Sequence, residues 1–552
     1  GFPPVFINRN VGLSSGVIKF CVKGQMTEAG ISGSTETTLE ELAERYGAAY
    51  PWLVAVTVLS AFATAVLTSS IVNVAVPDVM GAFGVGQDQV QFIATAFFAT
   101  MTASLLISPW TVEKFGPQLT FSVSLILFVI GSLISTFSPN LPAIIFGRVV
   151  QGFASGVIQP LVMVALVQAF RPERRGLAMG LFSMGIVCAH GLGPYLGGLT
   201  IDAFHWRLIF LLPLPVVAFA FVMGLFVLPR RAVGTSVPFD WLGFSLLCLS
   251  LFFLMTGIAN GQRDGWLSDT IILQFIISFV SATGFVLSQV YGGQRILEFT
   301  LFRHAPFSAA IAVAFVYGLA NFSAIYLYPV FGQLVQEYTP SAAGFLILPG
   351  AIIAVFILPL TGKFADAVPP QFGIALGVGL FGISNLILSS SDISSMFWGV
   401  AALILVGRLG LAFMTPSMMS AALGTLPLNK LSEASAIVNF VMLGGGAIGI
   451  NGLVVLLDRR TQFHSEALTA TQTAANPATR ELLENVSRLL GEEGFAEALR
   501  SPVALNYLAD MLRAQANTLG FQDGFTAIAT IAFFGLIPAL ALHIVSRRGR
   551  QS

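Results

Sequence analysis

Charge is scarce in this chain. Only 10% of its 552 residues are Asp, Glu, Lys or Arg, against about 25% in ordinary soluble domains. The 27 basic residues balance the 27 acidic ones, so no excess of one sign points to nucleic acid as a partner. Cysteine is scarcer still: Cys21, Cys188 and Cys248, the last two inside apolar runs. That excludes a readable disulfide framework, and the three read as small packing residues. No His/Cys cluster has metal-ligand spacing, so neither metal nor cofactor is expected. No Gly-x-x-x-x-Gly-Lys-Ser/Thr run occurs, which argues against ATP-driven work. No nucleophile elbow or kinase signature occurs either, so the chain does not read as an enzyme.

What is abundant is apolar. Hydrophobic residues make up 55% of the chain, with 48 Phe and 55 Gly, and the mean hydropathy is +0.83. A soluble fold needs polar cover that this composition does not supply, whereas a bilayer removes the need. Crossing the hydrocarbon takes roughly 20 mostly apolar residues. Such spans fall near 52–77, 89–110, 119–138, 141–169, 176–201, 208–228, 240–260, 271–291, 307–332, 342–362, 371–389, 396–419, 434–457 and 522–545. The expectation is an all-α membrane protein of about fourteen transmembrane helices, embedded in the lipid bilayer of the plasma (inner) membrane. Residues 1–51 read as a cytoplasmic tail with a short helix around Leu39–Tyr46. Gly1–Gln25 precede Met26 without the layout of a signal peptide, and read as an upstream extension or a start-site error.

Loop charge sets orientation. With the N-terminus inside, inner loops hold Lys114, Arg171, Arg174, Arg175, Arg230 and Arg231 among others, while short outer loops hold only Arg207 and Arg263. Both termini are then cytoplasmic. The polar segment 458–521 falls outside, where the amphipathic pattern around Glu481–Leu490 predicts a small helical cap.

Spans 1–6 (residues 52–228) and 9–14 (307–545, including 458–521) read as two related six-helix bundles, with spans 7–8 (240–291) inserted between them. The fourth span of each half carries a Gly-Arg pair, Gly147-Arg148 and Gly407-Arg408. The loops after each second span also correspond, with Glu113-Lys114 in one and Lys363 and Asp366 in the other. Repeated halves with a midplane site between them are a recurring transporter design.

Several residues stand out as candidate site residues. Arg148 is a cation well inside span 4, expensive there unless paired or hydrated; it reads as a substrate-path or proton-relay residue, or as a structural pin. Gln151, one turn on, shares its side of the helix. Arg408 is the second-half counterpart and is expected to snorkel toward an outer interface. His190, taken as the one histidine within a span, is a candidate proton site, or a packing histidine. In span 5, Gly193, Pro194, Gly197 and Gly198 predict a bent, glycine-lined helix suited to a rocking contact. Glu113 and Asp366 are candidates for ion pairs that close the cytoplasmic side in one state.

These residues resemble the major facilitator superfamily in its fourteen-span drug:proton antiporter branch (the EmrB/QacA type). Arg148-Val-Val-Gln151-Gly152-Phe-Ala-Ser-Gly156 resembles that family's span-4 motif. Gly193-Pro194-x-x-Gly197-Gly198 resembles its span-5 antiporter motif, and Ile71–Pro77 the end of span 1. Thr461–His464 and Asp523–Phe525 also fit. The resemblance implies export of small amphipathic compounds by proton antiport with alternating access. In a Gram-negative cell it implies a periplasmic adaptor and an outer-membrane channel as partners, with the 458–521 cap as the contact. Two departures stand out. Thr68 takes the place of the branch's span-1 acid, so coupling would pass to His190, to a second-half acid, or to nothing. The loop 2–3 motif reads Pro109-x-x-x-Glu113-Lys114-x-Gly116. Other readings are an exporter of an anionic metabolite or siderophore with altered or weak coupling, and a transport-inactive relative serving as a receptor or assembly subunit.

Overall fold

A backbone in hydrocarbon must satisfy its own hydrogen bonds, and a helix does this within each crossing. In the computed structural model, residues 17–22, 25–30, 38–171, 174–230, 238–293, 295–424, 426, 430–473 and 475–548 are described. Among the described residues, thirteen helices are long and apolar enough to cross a membrane, fourteen when one bent pair counts as a span. The spanning part is all helix, in two six-helix bundles with two inserted helices. Residues Val17–Val22 and Gln25–Gly30 pair as an antiparallel hairpin ahead of it. Residues 1–16 lie outside the described residues.

The helices start where the sequence gives them starts. Asn140 accepts from the Ala143 N–H at 3.0 Å and opens span 4 (Leu141–Ala169). Asp240 caps span 7 (Trp241–Asp264) through the Gly243 N–H at 2.7 Å, and Ser268 caps span 8 (Asp269–Tyr291). Such side chains satisfy donors that the first turn leaves open. Proline in the first turn, where its missing N–H costs nothing, marks spans 3 (Pro117–Thr136), 9 (Ala305–Leu334) and 11 (Pro370–Leu388).

Two expectations need correction. Span 2 is not one straight helix: Gln87–Leu105 and Ser108–Phe115 meet at 53°, because Pro109 supplies no N–H across the junction. Gly116 then turns the chain with φ +79°, a conformation that favours glycine. The 458–521 cap is helical as expected, but is built largely from the spans beside it. Span 13 runs Leu431–Ala470, and the last span starts at Glu497 and reaches Phe534 before Leu536–Arg548 completes it. Polar residues at helical spacing do not end a helix on leaving hydrocarbon. Between the two extensions lies a separate helix, Pro477–Glu492. We call the side bearing this cap the cap face and the side where span 1 begins the terminal face.

Burial sorts the spans. In the most apolar stretch of span 1 (Tyr50–Ile71) and of span 9, 72% of residues are buried, against 22% for span 8. Spans 1 and 9 are central. The inserted pair presents Leu242, Phe279 and Val280 outward, where only lipid tails suit them. Spans 7 and 8 bond to each other, Ser278 Oγ to the Ser250 carbonyl at 3.0 Å. The Asn451 Nδ2 of span 13 ties them to the second bundle through the Met255 carbonyl at 2.6 Å.

Glycine pairs set two helix crossings, one in each half. A Cβ on Gly131 would stand 2.7 Å from the Gly147 carbonyl oxygen, and the converse holds; in the second half a Cβ on Gly377 would stand 2.5 Å from the Gly410 carbonyl oxygen. Spans 3 and 4, and spans 11 and 12 (Phe397–Leu423), cross through matching glycine pairs that leave no room for side chains.

Candidate functional site

Arg148 is fully buried in the first bundle. Its Nε donates to the Ile93 carbonyl at 2.9 Å and its Nη1 to Gln151 Oε1 at 3.0 Å. Gln151 Nε2 donates to Ser132 Oγ at 2.7 Å. The guanidinium lies 4.2 Å from the centre of the Phe97 ring, which supplies cation–π attraction. Nη2 has no partner among the described residues, and no carboxylate pairs with the group. The glycines of this segment allow close approach: a Cβ on Gly152 would stand 3.0 Å from Phe97 Cα, and one on Gly156 3.0 Å from the Met101 carbonyl carbon. Spans 2 and 4 therefore cross tightly beside Arg148.

Arg408 does not snorkel. Its Nη1 donates to Asn321 Oδ1 at 3.3 Å, while its Nε and Nη2 are buried and unpartnered. Span 10, Pro340–Phe345 continued by Leu348–Ala367, makes this possible: a Cβ on Gly350 would stand 3.0 Å from Arg408 Cγ. The stem crosses a glycine and stays between helices. In the other bundle lies His190 of span 5 (Arg175–Ala203), next to Gly191, where a Cβ would stand 3.5 Å from Ala351 Cα of span 10. Its Nδ1 meets the Ile186 carbonyl at 3.1 Å, its Nε2 has no partner among the described residues, and its ring lies 5.9 Å from that of Phe322. His190 is not the only spanning histidine: His543 lies near the end of the last span, where its Nδ1 meets Gln371 Nε2 at 3.2 Å.

Span 5 is continuous through Pro194. Its glycines face two partners. Gly193 and Gly197 press on span 1: a Cβ on Gly193 would stand 3.0 Å from the Leu67 carbonyl oxygen, and one on Gly197 2.6 Å from Ile71 Cγ1. Gly198 presses on span 10, where its Cβ would stand 2.5 Å from the Pro340 carbonyl carbon, and a Cβ on Gly344 would stand equally near that of Pro194. The two bundles thus touch backbone to backbone near the cap face. Hydrogen bonds reinforce that end. Asn73 Nδ2 donates to the Ile325 carbonyl at 3.4 Å, Gln333 Nε2 to the Val74 carbonyl at 2.9 Å, Gln87 Nε2 to the Tyr326 hydroxyl at 3.1 Å, and the Ser341 N–H to Asp202 Oδ2 at 3.1 Å. Toward the terminal face the bonds between described residues of the two bundles are long: Gln159 Nε2 to Asn439 Oδ1 at 3.3 Å and Ser435 Oγ to Met163 Sδ at 3.8 Å.

Sequence reasoning missed this cap-face set. One signal was available, since Asn73 and Val74 sit inside the Ile71–Pro77 segment; Asp202 and Ser341 stand 139 residues apart with nothing local to link them. Glu113 is exposed and forms no ion pair among the described residues. Its neighbour Lys114 lies 4.7 Å from the Trp110 ring, which packs 5.2 Å from Trp241 at the start of the insert. The Asp366 side chain lies outside the described residues. Thr68 is fully buried and its hydroxyl has no partner among the described residues. The segments around His464 and Asp523 do meet: Arg460 Nε and His464 Nε2 lie 2.5 and 2.7 Å from Asp523 Oδ2, joining spans 13 and 14 at the base of the cap.

Comparison with known proteins agrees with this architecture. The sequence pattern of the Major Facilitator Superfamily matches residues 58–450, more than half of the chain. "Multidrug export protein EmrB" of Haemophilus influenzae is 26% identical, covering 86% of this chain and 91% of its own. EmrB of Escherichia coli K12 is 28% identical over 79% of this chain and 86% of its own. An uncharacterized MFS-type transporter of Bacillus subtilis, YhcA, is 24% identical over 90% and 94%. Among solved structures, a bacterial homologue of the human lysosomal transporter Spinster superposes with TM-score 0.60 at 14% identity, covering 90% of this chain and 98% of its own.

Proposed function

The chain belongs to the Major Facilitator Superfamily, and we propose that it exports small amphipathic compounds from the cytoplasm by proton antiport with alternating access. The observation that carries this reading is the contact between spans 5 and 10. Gly198 lies against the Pro340 backbone and Gly344 against that of Pro194, so the span-5 motif is itself the surface on which the bundles meet. Two packed bundles joined at one end, through backbone and a few exchangeable hydrogen bonds, are a bistable arrangement. Breaking the cap-face set and closing the opposite end exposes the midplane first to one side and then to the other. The export-named relatives support the substrate class.

In this reading the bundles 52–228 and 307–545 move and the insert 240–291 rides with the second through Asn451. The excess of basic residues in the terminal-face loops supports a cytoplasmic position for that face and for both termini, in a cell bounded by this plasma membrane. Arg148 and Gln151 hold spans 2, 3 and 4 as one body. His190 and Arg408 border the substrate path. Glu113 and Asp366 sit at the cytoplasmic ends of their spans, where closure would bring new neighbours. The cap, exposing Phe463, Leu499 and Leu505, is the surface a periplasmic adaptor would use, and an outer-membrane channel would follow it.

Ethidium accumulation in transporter-deficient bacteria expressing the chain tests the proposal. Lower accumulation that an ionophore abolishes supports it. Equal accumulation with and without a correctly inserted protein, for ethidium and for a range of other dyes, overturns it.

A further inference from the structure

We propose that Arg408 and His190 form an anion-binding site between the two bundles, which takes the acidic head of an amphipathic organic anion. The proposal rests on the reading above in that the ligand reaches the space between the bundles.

Arg408 is a cation without a counter-ion among the described residues. A guanidinium offers five N–H donors, yet this one makes a single long bond to Asn321, and its Nε and Nη2 are buried without a partner. No described Asp or Glu is among the buried residues, and no described ion pair involves Arg408. An unpaired charge midway along a span is costly, and a bound anion removes that cost. Arg148, equally without a carboxylate among the described residues, is a different case: its Nε and Nη1 donate to Ile93 and Gln151 inside one bundle, only Nη2 is left over, and the side chain is sealed. Arg408 and His190 keep partial exposure on facing bundles.

The chain is built to bring the two together. Gly350 gives room for the Arg408 stem, and a Cβ on the adjoining Gly191 would stand 3.5 Å from Ala351 Cα, so His190 is carried to the same level of span 10. A carbonyl only accepts, so Nδ1 of His190 carries the hydrogen that meets Ile186. That fixes the ring and leaves Nε2 free to accept from a protonated acid or, once protonated, to donate to an anion. Around the polar pair the walls are aromatic: Phe322 beside His190, and Phe98 at 4.8 Å from Phe322. A charged head with a flat apolar body matches both parts.

Dansylglycine and its uncharged methyl ester share one aromatic body and differ in the carboxylate. Their fluorescence titrations against the full chain in phosphatidylcholine nanodiscs, with empty nanodiscs subtracted, test the site. The acid is expected to bind saturably and about tenfold or more tighter than the ester, the effect of one charged hydrogen-bonding contact. Arg408→Gln is expected to bring the acid to the level of the ester, and Arg408→Lys to retain part of the preference. The wild-type comparison stands even where a variant misfolds. Equal binding of acid and ester, or a preference that survives Arg408→Gln in folded protein, overturns the site. Ionophore-sensitive ethidium export together with equal binding overturns the anion site alone and leaves the export reading standing. An acid preference that Arg408→Gln removes, with no export of either dye from inserted protein, upholds the site and overturns the export reading.

Discussion

Arg148 Nη1 donates to Gln151 Oε1 at 3.0 Å, and Gln151 hands the chain on to Ser132 at 2.7 Å. Gln151 is thus the acceptor that partly offsets a fully buried cation, and it fastens span 4 to span 3. Gln151→Leu strands one more guanidinium donor and is expected to cost about 1–3 kcal/mol of stability. Gln151→Glu puts a carboxylate beside the charge and is expected to keep or raise it. Thermal unfolding of the detergent-solubilised variants checks both; an unchanged Gln151→Leu midpoint contradicts the assignment.

Closure at the cap face depends on absent side chains. A Cβ on Gly344 or Gly198 would stand 2.5 Å from a backbone carbon of the other bundle, a distance the backbone cannot accept without moving apart. Gly344→Val and Gly198→Val are expected to fold, to lose most dye export, and to leave the cap-face end open. A cysteine placed at Ser341 is expected to label faster with an impermeant maleimide in either variant than in the parent. Export at the parental rate would show that the contact is not part of the cycle.

Thr68 stands where the resembled branch has an acid, and its buried hydroxyl has no partner among the described residues. Replacing an unsatisfied polar group by an apolar one of the same shape removes a penalty and breaks nothing. Thr68→Val is expected to unfold at the same temperature or higher, with ionophore-sensitive export unchanged. Loss of ionophore sensitivity in this variant would place the hydroxyl on the proton path.

Lys430 Nζ donates to Glu298 Oε1 at 2.6 Å, linking the stretch after the insert to the start of span 13. This bond, and next the Thr300 hydroxyl, hold the Glu298 carboxyl down at about 2. A depressed carboxyl stabilises the fold fully above its unfolded value of about 4.3 and loses that contribution as pH falls toward about 2. The difference in unfolding temperature between the parent and Glu298→Gln is expected to be small, as for exposed pairs, constant from about pH 5 to 8, and shrinking below about pH 4. A difference that grows on acidification contradicts the pairing.

Much of this was legible in the chain because membrane spans are written in continuous apolar runs. The fourth span read from the sequence, 141–169, coincides with the helix Leu141–Ala169, since Asn140 and Phe170 bound it. The matching Gly-Arg positions mark Arg148 and Arg408 in the sequence, and the span-5 glycines lie at close helix approaches. The environment of each charge was not legible. Arg408 was expected at an interface, and only the position of Gly350 on a separate helix shows why it stays inside. Asp202 and Ser341 are not legible as a pair because both sit at helix ends amid ordinary polar residues, and their meeting is a product of bundle docking. The lengths of spans 13 and 14 escaped because hydropathy ends at the membrane surface while helix propensity does not.

The most direct test of the account is the movement of protons against substrate. The purified chain, reconstituted in liposomes holding a luminal pH dye, is presented with ethidium or dansylglycine outside. An antiporter carries substrate in and protons out, so the lumen is expected to turn alkaline, at a rate that falls in Gly344→Val. Substrate uptake with no luminal pH change, or no uptake of either compound, would contradict proton-coupled export by this chain.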